Sequence, residues 1–165
     1  MKIDEPFHYD ADPDAVVDML ADPEFQDRKA LASGATSYEV AVSHRGDAPT
    51  TTLTRTLPVS GVPDVFSKFI KDTVEVTEIV EWDEPSGGQE RGANVTLRFN
   101  GQPMVMKGRI TLKSVGDGTD GRMDGDLKCN VPFVGGKAEK ALAPQVIKGL
   151  HAEVEAAQAY LAERG

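Results

Sequence analysis

Six segments between residues 36 and 131 alternate apolar and polar residues with a period of two, and that pattern excludes most architectures for this chain. Period-two alternation puts one row of side chains on each face of a strand, one row buried and one in water. Residues 36–44 set Tyr38, Val40 and Val42 against Glu39, Ala41 and Ser43. Residues 50–57 follow, with Leu53, Arg55 and Leu57 on one parity, and residues 73–82 carry Val74, Val76, Val80 and Trp82. Residues 93–99 repeat the pattern with Ala93, Val95, Leu97 and Phe99, and Asn100-Gly101 after them is a strong hairpin signal. The return strand, 103–114, turns Met104, Met106, Ile110 and Leu112 away from Lys107, Arg109 and Lys113. Residues 122–131 complete the series with Met123, Leu127, Cys129 and Val131. Short turns between such segments predict an antiparallel sheet with one wet face.

The flanks read differently. Residues 2–9 have the length of a further strand, with Ile3, Phe7 and Tyr9 of like parity. Asp12-Pro13 and Asp22-Pro23 each pair a capping carboxylate with a proline at the first helical position, so two short helices follow, the second ending at Gly34. A long helix starting near Gly135-Gly136 closes the chain. Its Ala143, Ile147, Leu150, Val154, Ala157 and Leu161 step by four and three, an unbroken apolar stripe. Pro144 should kink that helix or mark its true start. With no repeat, linker or low-complexity tract, residues 1–165 read as a single domain.

Charge and composition narrow the function. Eighteen Lys+Arg against 27 Asp+Glu give a net charge of −9, which disfavours general nucleic-acid binding and charge-driven docking on anionic lipid. No apolar run reaches the ~18 residues of a membrane span, and the polar start does not read as a signal peptide. One cysteine, Cys129, excludes an internal disulfide, so a cytoplasmic setting is expected.

Most motif matches dissolve on inspection. Residues 116–121 spell G-x-G-x-x-G, but a charged strand follows where a dinucleotide site needs a helix, so they read as a hairpin loop. The aspartates at 117, 120, 124 and 126 miss calcium-loop spacing. His8, His44 and His151 are scattered, and no nucleophile elbow occurs, so neither a metal nor another cofactor is expected. Two inward charges are harder to dismiss. Arg55 lies between Leu53 and Leu57, and Glu78 interrupts Val74, Val76, Val80 and Trp82. If their strands pair, the two either neutralise each other inside or meet the polar group of a ligand. In the connection 58–72, Phe66, Phe69 and Ile70 share a face, either as a plug of the core edge or as a lid. That connection, the Asn100-Gly101 turn and the Phe133-Val134-Gly135 junction should gather at one end of the sheet.

Strand, two helices, six strands and a long final helix is the helix-grip order, and in it the chain resembles the START-related superfamily of polyketide cyclases, aromatases and lipid carriers. Asp22-Pro23-Glu24-Phe25 is similar to the end of the first helix in such bacterial domains, and residues 131–140, VPFVGGKAEK, to their strand-to-helix junction. The likeness is closest to a bacterial family of unknown function in that superfamily. It implies an α+β, β-α-α-β6-α fold whose curved seven-stranded sheet wraps the last helix, with a small hydrophobic or amphipathic molecule held between them. The implied ligand-contacting set is Tyr38, Arg55, Phe66, Phe69, Glu78, Trp82, Phe99, Met104, Met106, Met123 and Cys129. A binding module leads. A cyclase, aromatase or hydrolase using Glu78 as general base comes second, and a ligand-free interaction scaffold third.

Overall fold

The structure, a computed structural model, describes residues 1–59, 72–87 and 89–164. The chain runs β1 (Lys2–Tyr9), α1 (Pro13–Leu20), α2 (Pro23–Ala32), β2 (Ser37–Arg45), β3 (Ala48–Pro58), β4 (Thr73–Trp82), β5 (Glu90–Phe99), β6 (Met104–Val115), β7 (Gly118–Cys129) and α3 (Gly135–Arg164). Strands β2 to β7 form an antiparallel meander, and β1 adds to it beside β7, giving the order β1-β7-β6-β5-β4-β3-β2. This is the α+β helix-grip fold, with the helices over one face of the sheet.

Local chemistry sets the elements. The Asp12 carboxylate accepts from Ala15 N at 2.9 Å and Asp22 from Glu24 N at 2.9 Å, so each aspartate satisfies an amide that its helix leaves open. Alternating burial along β5 and β6 sends Val95, Leu97, Phe99, Met104, Met106, Ile110 and Leu112 inward, where they meet Val16, Val17 and Phe25 from the two short helices. Near its C-terminus α3 is pinned to α2: Tyr160 packs edge-on against Phe25, and its hydroxyl donates to Asp22 at 2.7 Å.

Three local expectations change. Only residues 116 and 117 of the glycine-rich stretch form the turn, with Gly116 at φ 58°, while Gly118 and Gly121 lie within β7. The reason is steric. A Cβ on Gly121 would lie 2.0 Å from the Phe7 ring, and one on Gly118 would lie 2.7 Å from the His8 ring, so these glycines let β1 lay its side chains across β7. Pro144 does not start α3, which begins at Gly135 and carries the proline inside it at an exposed position. The stripe of α3 is buried at Ala143 and Ala157 but only half-buried at Ile147, Leu150, Val154 and Leu161, and of these Leu150 lines a cavity beneath the helix.

The turn after β5 and the junction after β7 do meet at one end of the sheet. Asn130 N donates to Pro103 O at 2.8 Å, and Asn100 N donates to Glu75 O at 2.8 Å. The base of the β3–β4 connection is at the same end, closed by Val59 N to Asp72 O at 3.0 Å. The expected lid residues, Phe66 and Phe69, lie outside the described residues.

Candidate functional site

A cavity of about 370 Å³ opens between the inner face of β3 to β7, the end of α2 and residues 142–153 of α3. Val76, Leu97, Phe99, Met106, Met123 and Leu150 give it an apolar wall. Arg55, Glu78 and Glu153 break that wall on one side.

Sheet register brings the charges together. Arg55 stands opposite Val76 and Glu78 opposite Leu53, so the two are diagonal neighbours on one face, within reach of long side chains. Arg55 Nη2 lies 3.7 Å from Glu78 Oε2, an ion-pair distance too long for a hydrogen bond. Glu78 finds a closer partner in Lys29 of α2, whose ammonium donates to Oε1. The same ammonium lies 2.7 Å from Glu153 Oε2 of α3. Lys29 is 5% exposed at its side chain, Arg55 10%, Glu78 14% and Glu153 15%, so four charges summing to zero share one largely buried volume. Burial opposes the charged forms of Glu78 and Lys29, but here the neighbours win. The Lys29 ammonium, then the Arg55 guanidinium, hold Glu78 below its ordinary value, and Glu153 and Glu78 hold Lys29 above its own. Both are therefore ionised at neutral pH. The Arg55 Nε is buried and has no hydrogen-bond partner among the described residues.

Of the residues singled out from sequence, Arg55, Glu78, Phe99, Met106 and Met123 line this cavity. Tyr38, Trp82, Met104 and Cys129 are not among its described lining residues. Tyr38 is half-buried on edge strand β2, opposite Arg55 in register. Trp82 and Met104 are buried in the core, Trp82 at the last residue of β4 and Met104 at the first of β6. Cys129 is half-buried at the end of β7, where burial and the nearby Glu139 carboxylate push its thiol up, which keeps it protonated.

Sequence reasoning missed Lys29 and Glu153. The signal that found Arg55 and Glu78, a charge on an apolar face, was present for both. Lys29 follows Phe25 by one helical repeat of four, and Glu153 follows Leu150 by three. A further inward cation, Arg91 of β5, is 7% exposed and donates from Nη1 to Asp14 Oδ1 at 2.8 Å. Among the described residues no cluster of His, Cys, Asp or Glu has the makings of a metal site.

Comparison with solved structures shows that the fold is shared with proteins of several kinds. The aromatase/cyclase Zhui from a Streptomyces species superposes with a TM-score of 0.65 at 12% identity, over 99% of this chain and 94% of that one. The STAR-related lipid transfer protein from Xanthomonas axonopodis gives 0.63 at 14% identity, over 98% and 85%. Norcoclaurine synthase from Thalictrum flavum gives 0.56 at 14% identity, over 99% and 87%. The chain belongs to the family described as "Protein of unknown function (DUF2505)", whose profile matches residues 5–161. No curated protein matches it in sequence. No described helix is long and apolar enough to cross a membrane.

Proposed function

We propose that this chain is a single domain that binds one small hydrophobic or amphipathic molecule in the cavity between its sheet and α3, in a cytoplasmic setting. One observation carries the reading: an apolar cavity of about 370 Å³ has a buried guanidinium in its wall whose Nε–H has no partner among the described residues. A buried donor without an acceptor costs on the order of 1–3 kcal/mol, so the guanidinium gains by turning to an oxygen on a bound molecule. The volume falls in the lower part of the roughly 300–1,000 Å³ range of ligand pockets. The apolar wall takes the body of the molecule and Arg55 its polar end. The names of similar structures, an aromatase/cyclase and a lipid transfer protein, support a cavity put to use in this fold.

The same site gives little support to Glu78 as a general base. A general base works best with a pKa near the operating pH, and two cations hold this carboxylate in the opposite direction. Binding of the neutral dye Nile red tests the proposal, with a cavity-filling Met106→Trp variant as control. Saturable binding to the wild type that the folded variant loses is the expected result. No binding to the wild type, or equal binding to both, refutes it.

A further inference from the structure

We propose that the cavity selects molecules whose polar end is an uncharged hydrogen-bond acceptor, such as a ketone, ester or ether oxygen, over carboxylates of the same length. This rests on the binding reading above and adds the chemical class of the ligand. Charge is already balanced in this confined space. Lys29 and Arg55 already balance Glu78 and Glu153, and all four side chains are at most 15% exposed. Lys29 is committed to both carboxylates, which leaves Arg55, of the two buried cations described in this cluster, to turn a donor to a ligand.

An anion set against Arg55 comes close to Glu78, whose Oε2 is 3.7 Å from the same guanidinium. It would also leave the enclosed set with a net charge of −1, a state that a weakly solvated volume penalises. A neutral oxygen accepts from the guanidinium as it turns to the cavity and leaves the balance unchanged. Tyr9, buried close by, responds to the same field: burial pushes its hydroxyl up, and Glu153 and Glu78 push it further. Lys148, at the cavity rim, is exposed, so water and salt screen its pull on an anion. A ligand cation fares no better than an anion, because both carboxylates are engaged.

The test compares dodecanoic acid with methyl dodecanoate by displacement of Nile red at neutral pH. The two share a chain and a carbonyl and differ in charge. The wild type should bind the ester at least about tenfold more tightly. Glu78→Gln removes one negative charge and should narrow or reverse that preference. Glu153→Gln does the same from α3, away from Arg55, and serves if the first variant fails to fold. Acid binding as tight as ester binding in the wild type overturns the proposal and leaves the cavity reading standing. A preference unchanged in both variants overturns the charge argument. Displacement by neither probe, with Nile red bound to the wild type and not to Met106→Trp, overturns the proposal and leaves the cavity reading standing.

Discussion

Replacing Lys29 with Met removes the charge that ties three elements together while keeping an unbranched side chain in place. Lys29 is 5% exposed at its side chain and faces Glu78 of β4 and Glu153 of α3 at once. Without it two largely buried carboxylates share Arg55, 3.7 Å from one of them. Breaking a buried pair from one side costs about 3–5 kcal/mol, because the orphaned charge stays desolvated. The loss should be read from urea unfolding as a fall in midpoint at unchanged slope. Its pH dependence has a definite sign. In the wild type Glu78 sits below its ordinary 4.5, so its contribution is full above 4.5 and disappears as pH falls through the lowered value. Lys29 sits above its ordinary 10.5, so its contribution is full below 10.5 and disappears as pH rises through the raised value. The gap between wild type and Lys29→Met should therefore be widest between those limits and narrow on acidification. A neutral-pH loss under about 1 kcal/mol, the scale of a surface pair, would refute the reasoning. So would a gap that does not close in acid.

The remaining predictions concern packing. A Cβ on Gly108 would lie 2.7 Å from Asp124 O and 2.9 Å from Gly125 Cα, both backbone of β7. Gly108→Ala should thus part β6 from β7, at a cost of about 1–3 kcal/mol visible as a lower Tm. Leu127 is fully buried and Leu150 is half-buried on the cavity wall, so Leu127→Ala should lose about 2–5 kcal/mol in chemical unfolding and Leu150→Ala clearly less. Phe133 holds φ at 69° with its ring wholly in solvent, so Phe133→Gly should leave the Tm unchanged or raise it, by at most about 1 kcal/mol of stability. A drop on that substitution would mean that the ring has a contact in solution.

The sheet was legible because a period of two is written independently in each strand, and a one-residue slip would have turned Val95, Leu97 and Phe99 outward. The short helices were legible because a capping aspartate and a proline act locally. Lys29 and Glu153 were harder. A lysine on a ten-residue helix rich in charge reads as solvated unless the partner face is known, and that face comes from strands and a helix distant in sequence. Parity told which residues point inward but not where along the strand the helices leave a gap. Trp82 and Met104 therefore fill the core while Met106 and Met123 meet the cavity, though all four share the inward parity. The glycines of β7 read as a loop because the ring that requires Gly121 sits on β1, more than a hundred residues earlier.

The central claim is that the cavity is a binding site rather than a packing defect. Native mass spectrometry of the protein purified from its own host tests it most directly. The account predicts a discrete noncovalent adduct with a single uncharged polar end on an apolar body, retained by the wild type and lost in Met106→Trp. The bare chain mass in the wild type, with no uptake on exposure to neutral amphiphiles of matching size, would contradict it.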